Sequence, residues 1–360
     1  MVADRLARTR DRFRQSFHRV GPVRASGRLH IIRRSAANRD HDRMAFVAGW
    51  REGQAGQLQQ QTVEPFVSRQ TRPEPQFNIA SVGKMFTAVA LAQQIEAGRL
   101  TFDMPVGTVL PDCPSARVRD SVSVRMLLSH RSGISNVVPT RPLPRITLDS
   151  HLAQLQHLPL DCPADSTSSH SNSNYLLLGR MLERLTGTTC WTHINASIFR
   201  PARMSTTRPC DAWRDTPHLA LGYTYDRLEG PPSDTLWNTS QMVGTSSPAD
   251  GGCASSRDLL RIMSALRRGW LLRPETLRTM TQVSAHFGNV GGRAYRLGFE
   301  QVQAGGERAC GHARGHPDIT AYVMHFPHSG YTVIAISNRD REASRLGGWI
   351  AMLIGDTVAG

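Results

Sequence analysis

The order of the predicted secondary-structure elements is the feature that most restricts the fold of this chain. Two short runs rich in β-forming residues come first, and a strong helix follows that begins near Ser81 and ends at a C-cap near Gly98. A long, mostly helical stretch separates this helix from a second group of elements. The predicted elements are strands at 28–34 and 44–50, a later helix at 256–268, strands at 294–303, 319–326 and 331–338, and a last helix near 346–354.

This order predicts an α+β fold, an α/β sandwich in which helices cover both faces of an antiparallel β-sheet, with an all-α insert beside it. The short turn His328-Ser329-Gly330 indicates antiparallel pairing of the strands that it joins. Residues 26–104 and 240–360 form the predicted sheet region, and residues 105–239 form the mostly α-helical insert. A cleft between two such halves is where active sites concentrate.

The charge of the chain is strongly positive and almost entirely due to arginine. Its 43 Lys and Arg against 29 Asp and Glu give +14, and Lys84 is the only lysine. Residues 1–25 are predicted to be a basic, flexible extension, because residues 1–43 hold twelve arginines against four aspartates. Nucleic-acid proteins normally use lysine as well, and these segments lack interleaved aromatic residues. Binding of nucleic acid or an acidic membrane by the N-terminal segment is therefore the least favoured function.

No run of apolar residues is long enough to predict a transmembrane helix. The basic N-terminus is not followed by the apolar core of a signal peptide, so we expect a cytoplasmic protein, or a periplasmic or secreted one if the true start lies upstream. The six cysteines form no CxxC pair, and we expect free thiols.

Ser81 and Lys84 are the strongest candidates for chemistry. A spacing of three residues at the start of a helix places both side chains on one face. A lysine can accept the proton of a serine when burial and nearby positive charge lower its pKa, whereas arginine does not deprotonate. The chain has its single lysine at this position, which favours a nucleophile with a general base. The alternative is a capping serine with a solvated lysine.

The sequence around this pair resembles the serine hydrolase family of class C β-lactamases, D-Ala-D-Ala carboxypeptidases and related esterases. The resemblance covers most of residues 76–340 and implies a β-lactamase/transpeptidase-like fold, no metal or organic cofactor, and a small-molecule or peptide substrate. The stretches that carry it are FNIASVGKMFTAVALAQQIEAGRLTFDMPV (77–106), VRMLLSHRSGISN (124–136), HSNSNYLLLGRMLERLTG (170–187), ALGYT (220–224), DGGCASSRDLLRI (250–262), YRLGF (295–299) and FPHSGYTVIAISN (326–338).

The family lines its cleft with three motifs, which this chain matches in part. Ser-x-x-Lys falls on Ser81 and Lys84, Tyr-x-Asn falls on His170-Ser171-Asn172, and Lys-Thr-Gly or His-x-Gly falls on His312-Ala313-Arg314 with Gly315 next. The resemblance implies that Ser81 attacks a carbonyl, that Lys84 takes its proton, and that His170 with Asn172 positions the substrate and relays the proton. It also implies that His312 lines the pocket and that the amides of Ser81 and Gly315 bind the oxyanion.

Two departures from the motifs bear on activity. His170 replaces the motif tyrosine; an imidazole can relay a proton at neutral pH, or the residue is a loop histidine with no role. Arg314 replaces the motif glycine. It either fills the cleft, where it could clamp a substrate carboxylate, or displaces the strand and removes the oxyanion hole.

We therefore predict a serine hydrolase that forms an acyl-enzyme on a small ester, a D-amino-acid peptide amide or a β-lactam. A catalytically impaired relative that binds a ligand or partner in the same cleft is the main alternative. A zinc site at Cys310, His312, His316 and Asp318 ranks low, because no second cluster completes it. The oligomeric state stays open.

Overall fold

The computed structural model of the protein describes fourteen segments of the chain, and the predicted basic extension over residues 1–25 lies outside them. The described residues are 28–32, 45–49, 76–136, 148–155, 160–209, 219–220, 223–224, 237–238, 246–282, 288–290, 293–304, 306–316, 319–338 and 342–358.

Strands and helices alternate in groups along the described residues, as the sequence predicts. The strands are β1 (Arg28–Ile32), β2 (Ala45–Gly49), β3 (Phe77–Asn78), β4 (Tyr223–Thr224), β5 (Trp237–Asn238), β6 (Cys253–Ala254), β7 (Gly288–Val290), β8 (Arg293–Arg296), β9 (Phe299–Ala304), β10 (Glu307–His316), β11 (Ile319–His325) and β12 (Thr332–Ser337). The α-helices are α1 (Lys84–Glu96), α2 (Val106–Val109), α3 (Ala116–Ser121), α4 (Val124–Leu128), α5 (Leu148–Leu155), α6 (Asn172–Thr186), α7 (Cys190–Ile194), α8 (Ser256–Arg267), α9 (Pro274–Thr281) and α10 (Glu342–Val358). A 3₁₀ turn covers Ala80–Gly83, and a π-helical turn covers Asn195–Phe199.

Eight of the strands form one sheet in the order β1-β2-β12-β11-β10-β9-β8-β7. All neighbouring pairs are antiparallel except β2 and β12, which run parallel. The prediction of an antiparallel sheet is thus confirmed with one exception. A long connection leads from β2 to β12, and such a connection allows either direction, whereas the short turns between the later strands force antiparallel pairing.

Helices pack on both faces of this sheet, as predicted. Strand residues alternate between the faces, so Val323 and Ile334 belong to the large core that contains α1, while Tyr322 and Met324 belong to a second core closed by α10. Because Tyr322 and Val323 are adjacent in β11, the two cores lie on opposite sides of one strand.

Apart from shifts of one or two residues, three elements differ from the predicted ones. The α-helix begins at Lys84 rather than Ser81, since the 3₁₀ turn precedes it. The strand predicted over 294–303 is interrupted at Leu297 and Gly298, whose φ angles of 41° and 95° make a turn between β8 and β9. A Cβ at Gly298 would collide with the side chain of Ala88, so glycine allows this turn to touch α1. The last helix starts at Glu342, earlier than its apolar pattern indicates.

Candidate active site

A loop at residues 246–252 lies directly on the 3₁₀ turn that contains Ser81. Gly251 N–H donates to the Ala80 carbonyl oxygen (2.9 Å), and Ile79 N–H donates to the Gly252 carbonyl oxygen (3.1 Å). Gly83 and Gly251 touch backbone to backbone, so closely that a Cβ on either residue would collide with the other. The two glycines therefore allow the loop to cover the turn and to bring its carbonyl groups near the side chains that follow Ser81.

The backbone beside Ser81 has an unusual conformation. Ala80 has a φ of 46°, in the left-handed region that non-glycine residues rarely adopt. Its N–H donates to the side-chain oxygen of Asn78 (2.8 Å), which holds the chain in this conformation. Residues with such φ angles concentrate at functional sites, where surrounding contacts hold them in place.

Lys84 is the centre of the site. Its side chain is completely buried, and Nζ lies 2.9 Å from Ser81 Oγ, 2.7 Å from Asn172 Oδ1 and 2.5 Å from the Ala249 carbonyl oxygen. The last two oxygens can only accept. A neutral amine therefore donates its two hydrogens to them and directs its lone pair at the Ser81 hydroxyl, the geometry required of a base that deprotonates serine.

The electrostatic surroundings of Lys84 favour its neutral form. Burial lowers the pKa of this amine from the ordinary value of 10.5 to about 7. The carboxylates of Asp250 and Glu300 raise the pKa, and the positive charge of Arg314 lowers it. A large fraction of the Lys84 side chains is thus unprotonated near neutral pH, as the chemistry proposed from the sequence requires.

The second predicted motif is brought to the same place, but its two polar residues differ in their contacts. Asn172, at the start of α6, binds Lys84 directly. His170 makes no such bond: its Nε2 has no hydrogen-bond partner among the described residues. Burial, with the charges of Lys84 and Arg314, lowers the pKa of His170 to about 3, so the imidazole is neutral at physiological pH. Direct proton transfer between His170 and Lys84 is not supported by a contact between them.

Strand β10 carries the third predicted motif. His312 is buried, with its Nε2 3.1 Å from the hydroxyl of Tyr295. The Arg314 guanidinium lies 3.3 Å from a carboxylate oxygen of Glu300, whose side chain is fully buried. β10 still packs against the 3₁₀ turn of Ser81, so the arginine does not displace the strand. Gly315 lies exposed near the end of β10.

Several residues of the site were missed by sequence reasoning. Tyr175 and Tyr295 share a hydrogen bond between their hydroxyls (3.1 Å), and Tyr175 also donates to the Leu128 carbonyl oxygen (3.1 Å). Burial raises the pKa of both phenols, so neither is a phenolate at neutral pH. The ring of His130 packs against both tyrosine rings at a tilt. Glu300 was missed as well; its signal in the sequence was a carboxylate inside the strand predicted over 294–303, since a charge buried in a strand needs a partner.

The prediction of free thiols agrees with the structure at four cysteines and disagrees at a fifth. Cys113, Cys162, Cys190 and Cys310 are free, but Cys253 is disulfide-bonded, so the prediction of free thiols is wrong for that residue.

Asp318, one of the four residues of the zinc alternative, lies outside the described residues. Across the described segments, no three His, Cys, Asp or Glu side chains are grouped to hold a metal ion. None of the described helices has the length and apolar character needed to cross a bilayer.

Comparison with known proteins identifies relatives along most of the chain. A family model described as Beta-lactamase matches residues 36–356. Penicillin-binding protein 4 of Amycolatopsis lactamdurans is 33% identical over 175 residues, which cover 45% of this chain and 43% of the relative. The chain spans 43%, 66% and 61% of the length of three curated penicillin-binding proteins that it matches.

Two solved structures share the fold. A penicillin-binding protein from Bacillus halodurans superposes with a TM-score of 0.66 at 23% identity, covering 78% of this chain and 85% of that one. A D-amino acid amidase from Ochrobactrum anthropi SV3, in complex with L-phenylalanine amide, gives a TM-score of 0.68 at 22% identity, covering 79% and 85%.

Proposed function

The chain belongs to the beta-lactamase family, and on that premise we propose that it is a serine hydrolase that forms an acyl-enzyme at Ser81. The substrate is a small ester, a D-amino-acid amide or peptide, or a β-lactam. The observation that carries the proposal is the fully buried amine of Lys84, 2.9 Å from the Ser81 hydroxyl, with a pKa of about 7.

The proposed reaction starts with attack of Ser81 Oγ on the substrate carbonyl carbon. The hydroxyl proton passes to Lys84 Nζ as the new C–O bond forms. The ammonium ion then has three hydrogens, and three oxygens surround it: those of Ser81, Asn172 and Ala249. This match stabilises the charged lysine during the step that creates it. The same proton passes on to the leaving group when the tetrahedral intermediate breaks down, and water hydrolyses the ester in a second cycle.

The other residues bind and orient the substrate in this proposal. The backbone amides of Ser81 and Gly315 are assigned to the oxyanion, following the resemblance of the motifs. His170 acts as a neutral hydrogen-bonding group beside the leaving group, because its low pKa makes it a poor base. His312 lines the pocket. Arg314, which lies next to Glu300, contacts an anionic group of the substrate.

Amides of D-amino acids are the first substrates to test. A D-amino acid amidase and a D-stereospecific amidohydrolase are among the proteins with the same fold. β-Lactams follow, because curated relatives are penicillin-binding proteins. A panel with both enantiomers of each amide tests stereospecificity directly.

Covalent labelling tests the proposed nucleophile. A fluorophosphonate probe should label the intact protein once, and peptide mapping should place the label on Ser81. The label should disappear in Ser81→Ala and in Lys84→Arg, which keeps a positive charge but removes the base. Ser166→Ala, an exposed serine in a loop, is the matched control and should label normally. Labelling elsewhere, or equal labelling of Lys84→Arg, contradicts the proposal.

A catalytically impaired relative is the second candidate, favoured by two observations. His170 has no bond to the catalytic pair, and the Arg314 charge lies in a site where the family has glycine. This candidate predicts no labelling of the parent protein and a gain of labelling in the double variant His170→Tyr, Arg314→Gly. Binding of nucleic acid or an acidic membrane stays a prediction about residues outside the described segments.

A further inference from the structure

His130 contacts the ring of His170 and accepts hydrogen bonds from the two residues that flank it in the chain. The His130 carbonyl oxygen accepts a hydrogen bond from Ser169 N–H (2.9 Å), on the N-terminal side of His170. Its Nδ1 accepts from Ser171 N–H (3.3 Å), on the C-terminal side. Between these two bonds the rings of His130 and His170 pack with their centroids 4.8 Å apart. One residue thus holds the backbone before and after His170 and also contacts its ring.

The protonation of the His130 ring follows from its partners. A backbone N–H can only donate, so Nδ1 must be an acceptor and the neutral ring carries its hydrogen on Nε2. Asn174 supports the same tautomer. Its side-chain oxygen accepts from Ser132 Oγ (2.5 Å), which leaves its NH₂ group to face His130 Nδ1 at 3.1 Å. Burial also lowers the pKa of His130 well below its ordinary value.

His130 is fixed in this place at some energetic cost. Its side chain is fully buried and its φ is 57°, in the left-handed region. Its ring also packs against Tyr175 and Tyr295, with centroids 5.3 Å and 4.7 Å away. Strained conformations persist only where surrounding contacts hold them. At His130 those contacts include the rings of His170, Tyr175 and Tyr295.

We propose that His130 is a positioning residue, which fixes the backbone and ring of His170 at the edge of the Ser81 site. This inference rests on the proposed function for its catalytic consequence, but the positioning itself is independent of activity. His130 is fully buried, so in this proposal it acts through His170 and does not touch the substrate.

Two variants at position 130 separate positioning from folding. Asn keeps an acceptor close to the position of Nδ1 and tolerates left-handed φ, but lacks the ring; Gly also tolerates that φ and removes the whole side chain. His328→Asn, on an exposed turn, is the matched control for the same chemical change.

NMR of the His170 imidazole tests the positioning directly. The groups that face His170 are Lys84, Arg314 and His130. In the parent protein the His170 ring signal, assigned by its loss in His170→Ala, should not titrate between about pH 5 and 8. In His130→Asn and His130→Gly the released ring gains solvent, and its titration should move towards the ordinary midpoint of about 6.5. An unchanged His170 titration in folded variants overturns the proposal. So does failure of both variants to fold, which would make His130 purely structural.

A double-mutant cycle adds a kinetic readout. His130→Asn should lower kcat for an amide substrate by roughly 10- to 100-fold, as misplacement of a substrate-binding group does. In a His170→Ala background the same change should have no further effect. An equal loss in both backgrounds contradicts positioning. If the unsubstituted protein neither labels nor turns over substrate, the proposed function fails, while the NMR result still decides the role of His130.

Discussion

The pH dependence of Ser81 labelling is the sharpest test of the proposed catalytic pair, Ser81 and Lys84. With a pKa of about 7 at Lys84, about 10% of the amine is neutral at pH 6 and about 90% at pH 8. The rate of labelling should therefore fall roughly tenfold from pH 8 to pH 6 and level off above pH 8. A lysine with its ordinary pKa of 10.5 would give a rate that still rises tenfold for each pH unit above 8, with no plateau.

The assay is the second-order rate of fluorophosphonate labelling, measured by intact mass between pH 5.5 and 9.5. Because Lys84 is the only lysine, the rise in labelling rate between pH 6 and pH 8 cannot come from another lysine. Lys84→Arg should show neither this rise nor the plateau above pH 8, since a guanidinium stays charged throughout this range. A rate that does not change between pH 6 and 8, or a profile that continues to rise through pH 9.5, would refute the assignment of Lys84 as a base of lowered pKa.

Of three further predictions, two concern the surroundings of the pair and one concerns the buried carboxylate of Asp258 in α8. Arg314→Gln should move the rise in labelling rate to higher pH, because the charge of Arg314 lowers the pKa of Lys84. Glu300→Gln should move that rise to lower pH, because the charge of Glu300 raises the pKa of Lys84. Profiles that shift in the same direction in both variants would contradict this. Gly83→Ala should destabilise the protein by about 1–3 kcal/mol in urea unfolding and abolish labelling, because its Cβ meets another backbone. Gly348→Ala, where a Cβ meets nothing, is its control and should be neutral or stabilising. Asp258→Asn should lower stability by about 2–4 kcal/mol, because the buried carboxylate accepts four bonds from two threonines and pairs with an arginine; an unchanged urea midpoint would contradict it.

Much of the fold was predictable because it depends on local patterns. The spacing of apolar residues predicts the helix after Ser81 and the later helix α8. Short runs of β-forming residues predict the last strands, and the structure confirms each of these elements. The break at Leu297 and Gly298 was not predictable from the same pattern. It depends on the close approach of α1, which belongs to a different part of the chain.

Part of the candidate site was predictable from the sequence, and part was not. Ser81 and Lys84 are three residues apart, so a helical turn alone brings them together, and the sequence also showed that the lysine is unique. The other partners of Lys84, Asn172 and Ala249, are 88 and 165 residues away in the chain. Nothing in a local pattern specifies such contacts.

The sequence by itself therefore determined the family resemblance, a candidate nucleophile with its candidate base, and the succession of helices and strands. Only the tertiary structure decided the properties on which chemistry depends: the depth of burial that lowers the pKa of Lys84, the pairing of Arg314 with Glu300, and the packing of His130 against His170. The physical reason is that a pKa or a ring contact depends on every group within a few ångströms. Folding collects those groups from distant parts of the chain.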